Sequence, residues 1–253
     1  MRKKYTSQKK ILFFIISYFI LWIVLIVFIL PVNEMVPRPS IVILSFGALW
    51  TEYHLLVNFV STISSVYISL FAAYFLLKIL TSILTRMDNF FTNFLSSLNW
   101  FSKYLPTIVL GIFLIYWFPN SNIIEFVFAF ITAFFSLVIT FQEETKKVGN
   151  EYLDSAVSLG AAENIIARKV IWKAVQPKLF KHLFNLHFNI WSILIIFEYI
   201  KGGYGIGEIF RLSLTYHDIS ALFSITVITG VSISFGSQLI KYFQNKFCHW
   251  SFN

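Results

Sequence analysis

The amino-acid sequence predicts an all-α polytopic membrane protein, a single domain over residues 1–253 with about six transmembrane helices. Three observations carry that prediction. Of the 253 residues, 57% are hydrophobic and only 13% are charged, where soluble domains carry about 25% charged residues. Apolar stretches recur near the length of about 20 residues that a helix needs to cross a bilayer. Lys and Arg are distributed to one side: with the N-terminus inside, only Arg38, Lys201 and Arg211 face outward, and the remaining 17 of the 20 face inward. That asymmetry marks cytoplasmic connections. It places both termini in the cytoplasm of a chain that passes repeatedly through the plasma (inner) membrane.

Each element follows in order. Arg2, Lys3, Lys4, Lys9 and Lys10 precede an apolar run from Ile11 to Leu30, long enough to span and followed by no small-residue cleavage site, so a retained first helix is expected. Pro31, Pro37 and Pro39 break the next stretch, and VPRPSIVILSFGALW is expected to lie along the outer interface. A second span runs from Leu55 to Leu80, with Ser61, Thr62, Ser64, Ser65, Ser69, Ala72 and Ala73 as small residues that allow close helix packing in lipid. Thr81 to Lys103 reads as an amphipathic segment at the inner surface. Tyr104 to Phe118 is a third, shorter span, Pro119 to Asn122 an outer turn, and Ile123 to Phe141 a fourth span. A fifth span is expected from Leu183 to Tyr199, an irregular glycine-rich outer loop from Lys201 to Asp218, and a sixth span from Ile219 to Ile240.

Between the fourth and fifth spans lies a polar island, Gln142 to Lys181. Tyr152, Leu153, Ala156 and Leu159 fall at helical spacing. Gly160 then interrupts, and Ile165, Ile166, Lys169, Val170 and Lys173 resume the pattern until Pro177. The spacing predicts two helices meeting at the glycine, with Pro177 marking a boundary before the next span. The charge distribution puts this island in the cytoplasm, within reach of a cytosolic partner.

Other chemistry is sparse. A net charge of +8 follows the membrane pattern rather than a basic soluble face, so nucleic acid is not expected as a partner. The single Cys248 allows no internal disulfide. No phosphate-binding Gly-x-x-x-x-Gly-Lys motif, no zinc spacing among His54, His182, His187, His217 and His249, and no nucleophile elbow occurs, so neither enzyme activity nor a cofactor or metal is expected. An ionisable side chain in hydrocarbon costs about 2.5 to 3.5 kcal/mol on insertion scales, but Glu125 and Glu198 come near the outer ends of their spans, where interface solvation is within reach. A helix-end hydrogen bond would accommodate Glu198. A position facing a solute pathway is the alternative.

Asp154, Ser155, Ala156, Leu159, Gly160, Ala161, Val170 and Pro177 resemble the cytoplasmic coupling motif of ABC importer permeases, Glu-Ala-Ala, three residues, Gly. Asp154 stands for the usual Glu, Ser155 for the first Ala, and Lys173 where a first proline is expected. Further stretches, VPRPS, LPTIVLGIFLIYWFP, IFEYIKGGYGIGEIF and the terminal Trp250, are similar to the nitrate, sulfonate and taurine branch of that family. The resemblance implies a permease core over 55–245 whose coupling loop, 142–181, docks on a separate ABC ATPase subunit. It further implies a second permease copy, identical or not, and an extracytoplasmic solute-binding protein. Solutes of the branch and its relatives include small anions, sulfonates, pyrimidine vitamin precursors and flavins. An ATPase-independent secondary transporter would instead require internal repeats with broken helices, and no half-to-half repeat is seen. A membrane scaffold that recruits a cytosolic protein is the third reading.

Overall fold

A computed structural model describes residues 13, 16–25, 37–86, 97, 106–119, 121 and 123–248. Among these, every regular element is helical: α1 Pro39–Thr51, α2 Leu55–Leu84, α3 Thr107–Trp117, α4 Ile124–Thr145, α5 Asn150–Ser158, α6 Glu163–Lys201, α7 Ile206–Thr215 and α8 Ile219–Phe247. Four of them, α2, α4, α6 and α8, are long and apolar enough to cross a membrane, and the chain is a polytopic all-α membrane protein. Residues 16–24 of the expected first span are helical. The basic N-terminus, most of the segment up to Lys103, Asn120, Asn122 and Trp250 lie outside the described residues.

The chain divides into two compact units. The first comprises Met1–Leu56 and Ile209–Ile228. Here Pro39 sits in the first turn of α1, where a missing N–H is harmless and a fixed φ suits the helix. Ser45 and Ser224 share a 2.5 Å hydrogen bond, and the Ser224 hydroxyl donates to the Val42 carbonyl at 3.0 Å. Asp218 caps the start of α8 by accepting from the Ala221 N–H at 2.9 Å, the role a short acidic side chain plays at a helix start. Its other oxygen accepts from the Tyr53 hydroxyl at 3.0 Å. Burial and the facing Asp218 push the Tyr53 phenol up to about 12, so it stays a donor at any physiological pH.

The second unit comprises Val57–Glu208 and Thr229–Asn253. On α2 the buried positions are Asn58, Thr62, Ser65, Val66, Ser69, Leu70, Ala73, Leu77 and Thr81, while Ile68, Phe71, Phe75, Ile79 and Ile83 are exposed. The small and hydroxylated residues therefore face protein, beside Val66, Leu70 and Leu77, the arrangement close packing in lipid favours. The hydroxyls of Ser69 and Thr81 donate to backbone carbonyls one turn back, which satisfies them in the helix. Along α4 and α6, Phe128 stacks on Phe197 with ring centroids 4.6 Å apart. Gly111 lets α3 approach that pair, since a Cβ there would come within 2.8 Å of the Phe197 ring.

Two expectations are corrected. Pro177 does not bound a helix: it lies inside the rod from Glu163 to Lys201, which includes a six-residue π-helical stretch, Ile166–Ile171. Proline removes a single backbone bond, and membrane helices absorb that loss when neighbours hold the segment. Here Trp172 and Phe180, on either side of Pro177, both pack on Tyr74 at 5.5 and 5.4 Å. The stretch from Lys201 to Asp218 is not an irregular loop throughout, because α7 occupies Ile206–Thr215. Positive φ is confined to Gly202, Gly203 and Gly205 before α7 and to His217 after it. From Ile206 onward the apolar Ile206 and Ile209 are buried, so amphipathic burial restores the helix.

Candidate functional site

The polar island carries a short helix that lies against the π-helical stretch of α6 and buries none of its residues completely. α4 ends at Thr145, a short turn follows in which Lys147 pairs with Glu144, and α5 begins at Asn150. That hydrogen bond with Glu144 raises the Lys147 ammonium above its ordinary pKa. No residue of α5 is buried. Tyr152 is 69% exposed, Val157 61% and Leu159 87%. Tyr152 and Leu159, seven residues apart, leave an exposed apolar strip on an otherwise polar helix.

Gly160 ends this helix by a specific geometry. Its φ is +75°, its N–H donates to the Val157 carbonyl at 2.9 Å, and the Ala161 N–H reaches back to the Ala156 carbonyl at 3.1 Å. This pair of bonds around a left-handed glycine is the Schellman termination, which satisfies carbonyls a helix end leaves open. Asp154 and Ser155 are exposed and Ala156 half-buried, with the Ser155 hydroxyl donating to the Glu151 carbonyl. Val170 is half-buried in the π-helical stretch, and Pro177 lies further along α6. The named residues thus fall into two groups. Asp154 to Ala161 form the exposed helix and its turn, and Val170 and Pro177 belong to the rod that returns from it.

The root of the island is held firmly. Trp172 packs between Tyr74 of α2 and Phe141 of α4, and the Gln176 amide donates to the Tyr74 hydroxyl at 3.1 Å. The Arg168 Nε donates to the Ser82 hydroxyl at 3.1 Å, and Arg86 pairs with Glu163 at 3.3 Å. These contacts tie the start of α6 to α2 and α4.

At the other end of α6 a second constellation closes around Glu198, which is fully buried. Its carboxyl accepts from the Thr62 hydroxyl at 2.7 and 2.9 Å and from the Gly207 N–H at 2.9 Å. Thr62 in turn accepts from the Ile206 N–H at 2.8 Å, and Asn58 accepts from the Gly205 N–H at 2.9 Å. A Cβ on Gly205 would overlap the Glu198 carboxyl, so the glycine is what allows the loop to close over it. Beside this, Lys201 pairs with Glu125 at 2.8 Å with both side chains buried, and the Ser61 hydroxyl donates to Glu125. Asn58 did not stand out in the sequence, and Thr62 did so only as one of the small packing residues of its span. They lie far from the glycine-rich loop in the chain, and their one visible signal was an i, i+4 polar pair on an apolar helix.

A family model described as binding-protein-dependent transport system inner membrane component matches residues 75–247. A search of curated proteins found no match. The matched stretch contains α5, Gly160, the whole of α6 and the loop that closes on Glu198.

Proposed function

The chain belongs to the binding-protein-dependent transport system inner membrane components, the membrane permeases of ABC-type transport, and on that premise we propose that it forms the translocation path for a small solute. In this reading an extracytoplasmic binding protein delivers the solute and a separate ATPase drives its passage. The observation that carries the proposal is α5, a helix with no buried residue, an open apolar face and a glycine-terminated end. The ATPase groove takes Ala156, Leu159, Gly160 and Ala161 as a close-packing surface, and Asp154 and Ser155 set its register. When ATP closes a pair of ATPases, two such helices are drawn together, and each α6 carries the displacement through the membrane.

The solute branch we assign is that of nitrate, sulfonate and taurine, supported by VPRPS, by LPTIVLGIFLIYWFP and by the glycine-rich loop after Glu198. The functional unit is a dimer of permease copies with both termini in the cytoplasm, and the whole chain acts as one permease domain. Glu198 is assigned to holding the loop over the end of α6, because its carboxyl oxygens are taken up by Thr62 and Gly207.

Gly160→Val tests the coupling role. A branched side chain is strained at φ +75°, by about 1–3 kcal/mol, and it changes the end of α5 without touching any packed neighbour. In proteoliposomes with the ATPase and binding protein, the variant is expected to insert normally and to lose solute uptake while ATP hydrolysis continues. Uptake that stays coupled to hydrolysis at the wild-type ratio sinks the assignment.

A further inference from the structure

A cleft of about 220 Å³ opens beside the coupling region, lined by Phe75, Lys78, Ile79, Arg168 and Trp172. Two features of it are unexplained by coupling. It holds two cations, and among the described residues neither is in an ion pair. Its remaining lining is an aliphatic chain and two aromatic rings.

The geometry brings the two charges to one rim. Arg168 comes from the π-helical stretch of α6, and its Nε is tied to Ser82 at 3.1 Å. Ser82 lies one turn beyond Lys78 on α2, and residues four apart on a helix are neighbours. The guanidinium is thereby held by one nitrogen in the cleft that Lys78 also lines, which leaves its two Nη groups for an acceptor. A guanidinium fork with an ammonium next to it suits phosphate oxygens. From this rim, Phe75, Phe71 and Ile68 continue along the exposed face of α2 toward the middle of the span, at 53%, 72% and 55% exposure. Phosphate at one end and a bare apolar track leading away from it match a single kind of molecule.

We propose that this cleft binds an anionic phospholipid, its phosphate between Lys78 and Arg168 and an acyl chain along Phe75 and Phe71. Basic pockets between membrane helices on the cytoplasmic side take such headgroups. That the cleft lies in the inner leaflet rests on the orientation proposed above. The lipid would brace the root of the coupling helix, because Arg168 and Trp172 both belong to the segment that joins α5 to the rod.

The test uses the full chain purified in detergent and titrated with dioleoyl phosphatidylglycerol, dioleoyl phosphatidylcholine or glycerol 3-phosphate, with bound lipid counted by native mass spectrometry. Each cation near an anionic headgroup contributes about 1 kcal/mol, about five-fold in affinity. Wild type is therefore expected to prefer phosphatidylglycerol over phosphatidylcholine by about 25-fold for two cations. Lys78→Gln with Arg168→Gln should abolish that preference, each single change should reduce it about five-fold, and Lys241→Gln should leave it intact. The single changes decide the matter if the double variant does not fold. Equal binding of the two lipids by wild type, or a preference that survives the paired change, overturns the proposal. So does glycerol 3-phosphate competing as strongly as the lipid, which would make this a free-anion site. Detergent has no sides, so a failed orientation would leave this result standing.

Discussion

Gly205 is the residue where backbone and side-chain requirements meet. Its φ of +105° is open to glycine and costs other residues about 1–3 kcal/mol, and any side chain there would collide with the Glu198 carboxyl. Gly205→Ala is therefore expected to lower thermal stability in detergent by more than the dihedral strain alone, whereas alanine at Gly203, which has open space around it, should pay only the strain. Equal melting temperatures for the two variants would refute the clasp. Thr62 offers a second test, because its hydroxyl donates to Glu198 and accepts from Ile206 at once. Thr62→Val keeps the shape and leaves a buried N–H without a partner, a loss of about 1–3 kcal/mol. Thr62→Ser should restore most of it, and a melting curve for Thr62→Val that overlays wild type contradicts the assignment. The glycines of this loop were visible in the sequence as a run, and a helix-end hydrogen bond for Glu198 was foreseeable. That Thr62 and Asn58 supply its partners was not, because nothing local links residues that only the packing of α2 against α6 brings together.

Among the elements, α5 differs from the rest in being amphipathic without a core to cover. The spacing of Tyr152, Leu153, Ala156 and Leu159 announced a helix, and Gly160 announced its end, since both signals are local and the Schellman bonds need only neighbouring backbone. Which side of the helix would be open was not legible, as periodicity fixes a face and not its occupant. Tyr152→Asp with Leu159→Asp changes side chains that are 69% and 87% exposed, so the free chain should keep its stability to within about 0.5 kcal/mol per site. A large drop in melting temperature would show that the face packs on the chain itself. The run through Pro177 was misread for a different reason. Proline is a strong local breaker in water, but rings on Tyr74, Trp172 and Phe180 hold α6 together across it, and those contacts are not local. The same holds for α7, where glycines suggested an irregular loop until burial of Ile206 and Ile209 outweighed them.

In the second unit taken whole, one rod joins the two constellations. α6 has 39 residues, about 58 Å at 1.5 Å per residue, with α5 and its turn at one end and the Glu198 clasp at the other. Such a rod can transmit displacement because both its ends are tied, at Trp172 to α2 and α4 and at Glu198 to Thr62. The membrane class was legible from composition and from the long apolar runs, which depend on lipid and not on fold. Orientation can be checked in intact cells through Ser158→Cys, given that the one native cysteine, Cys248, is buried. An impermeant thiol reagent should label this position only after the membrane is opened, and labelling of sealed cells would place α5 on the wrong side. The most direct trial of the coupling account is co-purification of the ATPase with the tagged chain, wild type against Tyr152→Asp with Leu159→Asp. The account predicts that wild type retains the ATPase and the variant loses it at unchanged melting temperature. An ATPase retained equally by both would contradict it.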